Sequence, residues 1–163
     1  MKFNYQALKA IYLHEMDRFR RTLTQSLLSP VLSTSLYFIV FGSVIGGYVQ
    51  KIDGISYGSY IVPGLLMLTL LTQSISNTSF GIFFPKFNGT IYEILAAPIS
   101  TFEVVLAFVG AGATKTLIVG VMIFLTSMFF VDVEVKYPLL MIFLLVLVSF
   151  TFALFGLSLI HIW

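Results

Sequence analysis

Apolar residues run in long blocks along the chain, broken by short polar stretches, and block length sets the first reading. Crossing about 30 Å of hydrocarbon at 1.5 Å per residue takes about 20 apolar residues in a helix. Four blocks meet that length: Leu27 to Val49, Ser59 to Phe80, Val104 to Val131, and Pro138 to about residue 160. Between them lie Gln50 to Gly58, Gly81 to Glu103 and Asp132 to Tyr137. Residues 1–26 precede the first block and carry both signs of charge. Within them Tyr5, Leu8, Tyr12, Met16, Phe19 and Leu23 recur at steps of three or four, the period of one helix face. Lys9, Glu15, Asp17, Arg20 and Arg21 fall mostly elsewhere. The pattern predicts an all-α polytopic membrane bundle, with an amphipathic helix in residues 1–26 lying in the interface and a transmembrane domain over residues 27–163. A cleavable leader does not fit, because mostly polar residues precede the first apolar block.

Composition agrees. Of 163 residues, 58% are apolar and 10% charged, and the mean hydropathy is +1.00. Soluble domains hold roughly 45–50% apolar and about 25% charged residues. One small core cannot hide this much apolar surface, which excludes a soluble globular enzyme. The net charge is +2 and no basic stripe stands clear of the apolar blocks, which excludes nucleic acid as a partner. There is no Cys, hence no thiolate metal site or thiol nucleophile. Lys2, Lys9, Arg18, Arg20 and Arg21 precede the first block, whereas the later loops hold Lys51, Lys86 and Lys136, one apiece. That asymmetry predicts a multi-pass protein of the cell (inner or plasma) membrane with a cytoplasmic N-terminus. Alternation then puts the Gly81 to Glu103 loop on the same side. The sequons at Asn77 and Asn88 would be cytoplasmic and unglycosylated.

Three features lie inside the blocks. Gly42 and Gly46 form a GxxxG, the spacing that lets membrane helices pack closely. In the second block a solidly apolar stretch gives way to Thr72, Gln73, Ser74, Ser76, Asn77, Thr78 and Ser79. Polar groups at bilayer depth need partners, so this half either lines a polar cavity, with Gln73, Ser76 and Asn77 on a substrate path, or marks the helix leaving the membrane. Pro63 and Gly64 are a further candidate break. Lys115 is the one charge within the third block, and Thr116 to Val131 nearly suffices to cross. The favoured expectation is that Lys115 snorkels to the surface; the alternative is a functional charge on the path.

Much chemistry is excluded. Gly110-Ala-Gly112-Ala-Thr-Lys115-Thr116 lacks the spacing of a phosphate loop, which needs Gly where Thr114 and Val109 stand. No nucleotide, metal or other cofactor is expected on this chain. The spans carry neither Asp nor Glu, His14 lies outside them, and the hydroxyls of the second block have no base in reach.

The loop Lys86-Phe-Asn-Gly89-Thr90-Ile-Tyr-Glu93-Ile-Leu95-Ala-Ala-Pro98-Ile-Ser100 carries helix signals. Gly89 bends the chain, Thr90 is placed to cap a short helix with Glu93 as capping-box partner, and Pro98 prevents its continuation. Ile91, Ile94 and Leu95 then suit docking into a groove. This loop, the amphipathic start and the continuation Phe108-Val-Gly-Ala-Gly-Ala-Thr-Lys-Thr116 together resemble the permease subunit of type-2 ABC exporters. The resemblance implies that Gly89, Thr90, Glu93, Leu95 and Pro98 belong to a coupling helix seated in a separate ABC ATPase subunit, which would bind the ATP and Mg. Tyr92 stands where many members have an acidic or polar residue.

The resemblance further implies two permease protomers, most simply a homodimer, enclosing a path among membrane lipids. Cargoes of the family are drugs, lipids or polysaccharides; spans without charge other than Lys115 fit a lipidic or amphipathic cargo better than a small ion. A non-transporting membrane scaffold or assembly subunit is the alternative. The family's permeases have six spans, and the resemblance implies that this chain is the first four. Leu157-Ser-Leu-Ile-His-Ile-Trp163 matches the in-frame translation of a sequencing-library adapter, so residues 157–163 are expected to be a non-native tail.

Overall fold

The computed structural model describes residues 3–45, 48–49, 51–52 and 54–161. The helices are α1 (Tyr5–Arg21), α2 (Leu23–Tyr37), α3 (Tyr57–Phe87), α4 (Ile91–Ala96), α5 (Thr101–Ser127) and α6 (Pro138–His161). A π-helical stretch, Phe38–Ile45, extends α2. A two-residue strand pair, β1 (Lys51–Ile52) and β2 (Ile55–Ser56), pairs Lys51 with Ser56 and Ile52 with Ile55. The turn between them uses Gly54 at φ +83°, a conformation in which a Cβ would be strained.

The helix ends have local causes. Asn4 accepts from the Ala7 N–H and caps α1, whose last turn holds Arg18, Arg20 and Arg21, suitably placed for the helix dipole. Ser56 caps α3 through the Ser59 N–H. α3 absorbs Pro63 and Pro85 and runs for 31 residues, about 46 Å at 1.5 Å per residue. The polar stretch at Thr72 to Ser79 is therefore not where the helix ends. Among the described residues, Leu23–Gly42, Tyr57–Phe87, Thr101–Ser127 and Pro138–Ile160 are the four segments long and apolar enough to cross a membrane. The all-α polytopic bundle anticipated from the blocks is what forms.

Contacts fix the directions. Phe38 stacks on Phe130 with centroids 5.8 Å apart, and Ser59 Oγ donates to Asp132 O at 2.8 Å, so these residues share one end. Asn4 Nδ2 donates to Pro98 O at 3.4 Å at the other. Thus α2 and α5 run one way, while α3 and α6 run the other. α5 is the most buried of the four and occupies the centre.

Small residues set the close approaches of α3 to α5 and α6. A Cβ on Gly112 would collide with Thr78, one on Gly120 would lie 2.9 Å from Leu70 Cδ2, and one on Gly156 would lie 2.7 Å from the carbonyl oxygen of Ile75. The facing stripe of α3 is Gly58, Val62, Leu66, Leu70, Ser74 and Thr78, a row at steps of four of the kind that packs as a ridge. A Cβ on Gly42, by contrast, would meet nothing within 4 Å among the described residues, and Gly46 lies outside them. Polar side chains of α3 then join helices: Ser74 Oγ donates to Ser149 O at 2.6 Å, Ser79 Oγ to Gly156 O at 2.9 Å, and the Asn77 amide Nδ2 to Thr116 Oγ1 at 3.4 Å. Thr69 and Thr72 return their hydroxyls to carbonyls one turn back.

α1 lies along α5, in the same direction. The Asn4 N–H donates to Glu103 Oε1, and Tyr12 OH donates to Thr114 Oγ1 at 3.1 Å. Lys115 Nζ meets Glu15 Oε2 at 2.8 Å, and Arg18 Nη2 meets the same oxygen at 2.8 Å. Glu15 is 2% and Lys115 3% exposed. The snorkelling expected of Lys115 is thus wrong, because α1 covers that side of α5 and brings a carboxylate to the ammonium. Gly81 of α3 leaves the room, since a Cβ there would stand 3.4 Å from Glu15 Oε2.

Two predictions follow from this packing. Glu15→Gln leaves two neighbouring cations without their shared carboxylate, whereas Lys115→Met leaves Glu15 still paired with Arg18. Breaking a buried pair costs roughly 3–5 kcal/mol, and Glu15→Gln is expected near that range with Lys115→Met clearly below it; chemical or thermal unfolding of the purified variants measures the order. Gly156→Leu drives a side chain into backbone and is expected to lose about 1–3 kcal/mol. Gly42→Leu in the same assay should be near neutral.

Candidate functional site

The segment joining α3 to α5 is built by backbone punctuation. Asn88 ends α3, its N–H bonded to Phe84 O at 2.9 Å, and Gly89 then turns the chain at φ +77°. That left-handed position after a helix is the usual place for Gly. α4 follows directly. Thr90 precedes it in helical conformation and makes no side-chain cap bond, so the capping box expected of Thr90 and Glu93 is absent. A capping Thr needs extended backbone to aim its hydroxyl at the next turn; here Gly89 O and Thr90 O instead take the N–H groups of Tyr92 and Glu93. The box forms at Ser100 and Glu103, where α5 begins, each bonding the other's backbone N–H. Ala97 is extended before Pro98, which ends α4.

On α4 the outward side chains are Tyr92, 74% exposed, and Leu95, 70% exposed, with Glu93 also exposed. Ile91 and Ile94 are half-buried beneath them. Phe87, at the end of α3, is 77% exposed beside this face. Asn4 ties the segment to α1 through Pro98 and Glu103. A cavity of about 240 Å³ opens next to it, lined by His14, Glu15, Arg18, Phe84, Pro85, Asn88 and Thr90.

The residues considered for a substrate path are not gathered into one place. Asn77 faces Thr116, Lys115 faces Glu15, Ser76 is exposed and Gln73 is half-buried. Among the described residues no group of three His, Asp or Glu is arranged to hold a metal ion.

Sequence reasoning missed Glu15 and Glu103. Glu15 continues the sequence Leu8, Tyr12, Phe19 at steps of four, three and four, so it sits on the docking face and not opposite it. Ser100 and Glu103 match the capping-box spacing as well as Thr90 and Glu93 do.

A profile of the family described as ABC-2 type transporter matches residues 6–163. The Inner membrane transport permease YadH of Escherichia coli K12 is 38% identical over 157 residues, 96% of this chain and 61% of the relative. The proteins of that name from Escherichia coli O157:H7 and Shigella flexneri match with the same figures. The chain therefore spans 61% of the length of these curated relatives. No solved structure matches it. Four membrane-length helices, the family match and 38% identity along nearly the whole chain lead to one assignment: this chain belongs to the ABC-2 type transporter family.

Proposed function

We propose that the chain is the membrane-spanning part of an ATP-driven exporter, coupled to a separate ABC ATPase subunit through α4. The observation that carries this reading is a six-residue helix that turns Tyr92 and Leu95 outward, between the Gly89 turn that ends α3 and a C-terminal flank tied to Asn4 through Pro98. An exposed apolar pair on a braced element suits a docking anchor, because little ordering remains to oppose binding. Gly89 and Pro98 set its two ends, and Thr90 and Glu93 border the face.

The excess of Lys and Arg before α2 supports a cytoplasmic position for α1 and, with it, for α4. An inner-membrane, multi-pass location accords with the name of the relatives and with the four long apolar helices. In this reading ATP and Mg bind to the partner, a second protomer completes the path, and the cargo is lipidic or amphipathic. Gln73, Ser76 and Asn77 remain the path residues of choice, whereas Lys115 serves to hold α1.

The test is to express the chain with a candidate ABC ATPase subunit and compare Leu95→Asp and Tyr92→Ser with the parent. Each is expected to weaken co-purification by about tenfold or more, as loss of an apolar anchor does, and to lower transport-coupled ATP hydrolysis while membrane insertion stays normal. Unchanged association and hydrolysis in Leu95→Asp would rule out coupling through α4.

A further inference from the structure

The cavity beside α4 has chemistry that the coupling reading leaves unused. Arg18, Lys115 and Glu15 together hold two positive charges and one negative, so the cluster keeps a net charge of +1. Its buried members are Glu15 and Lys115; the Arg18 side chain is 33% exposed and carries the surplus toward the opening. Only Nη2 of the guanidinium engages Glu15, which leaves Nη1 and Nε without a partner among the described residues. The side chains of Asn88 and Thr90 line the same wall and likewise make no hydrogen bond among the described residues, and His14 completes it. Phe84 lies 5.9 Å below the guanidinium and, with Pro85, gives the cavity an apolar floor.

Donors with spare capacity around a net positive charge favour an anion, and Arg is the side chain best matched to phosphate oxygens. Drug-sized ligands occupy roughly 300–1,000 Å³, so about 240 Å³ suits a headgroup-sized fragment and not a whole amphiphile. We infer that this cavity binds a phosphate group, held by Arg18 with Asn88 and Thr90, either on a lipid or as the free anion. Next to it Phe80, Phe83 and Phe87 form an exposed aromatic row along α3 on which acyl chains would lie.

The test is calorimetric titration of the detergent-purified chain with dihexanoyl phosphatidic acid, with inorganic phosphate, and with dihexanoylglycerol, which keeps the tails and lacks the phosphate. Saturable binding of phosphatidic acid alone identifies a lipid headgroup, and saturable binding of inorganic phosphate as well, or instead, identifies the free group; both support the site. Loss of a charge-assisted hydrogen bond predicts about a tenfold weaker affinity in Arg18→Gln. Asn88→Leu, which leaves the ion cluster whole, should also weaken binding, and Arg20→Gln, a change at an exposed arginine outside the cavity, should not. Absence of saturable binding by either phosphate compound, equal binding of dihexanoylglycerol, or an equal loss in Arg20→Gln would overturn the inference. The readout is binding and not transport, so its failure leaves the permease reading standing.

Discussion

A buried ammonium at the middle of a membrane-length helix imposes the constraint on which this fold depends. Lys115 cannot remain charged among apolar neighbours without a counter-charge, and the counter-charge comes from Glu15, 100 residues away in sequence. Meeting that need brings α1 down along α5, with Phe19 buried beside Glu15 and Tyr12 bonded to Thr114. Arg18 shares the carboxylate and reaches over Phe84, so one oxygen of Glu15 links α1, α3 and α5. Gly81 is part of the same solution, because it lets α3 close against the pair.

Around this point the helices come together by backbone proximity. Lipid supplies no hydrophobic drive between membrane helices, so small residues and hydrogen bonds must do it. Gly112 and Gly120 admit α3 to α5, Gly156 admits it to α6, and the hydroxyls of Ser74 and Ser79 reach the carbonyls exposed by that approach. Ser74, Asn77 and Ser79 in the polar half of α3 are thus explained by the helices they meet. Near α4, Gly81 and Phe84 of α3 meet Glu15 and Arg18 of α1, Asn4 bonds Glu103 at the start of α5, and α4 lies between α3 and α5.

Local signals were readable where they depend on nearby residues. The four long apolar blocks became four membrane-length helices. Gly89 and Pro98 punctuated the connecting segment as their backbone preferences require. The capping box shows where such reading falters: two Ser/Thr-x-x-Glu matches lie ten residues apart, and only Ser100 has the extended backbone that the motif needs, because Gly89 draws Thr90 into the helical region.

By itself, then, the sequence determined that this is an all-helical membrane chain, where its helices lie and which segment between them is exposed, since hydrophobic period and length are properties of contiguous residues. Tertiary structure alone decided that Lys115 is held by Glu15 and does not snorkel, that Gly112, Gly120 and Gly156 form close contacts while Gly42 forms none among the described residues, and that Arg18 is left facing a cavity. The reason is physical: charge neutralisation and close packing depend on which surfaces meet, and residues far apart in the chain supply the two sides.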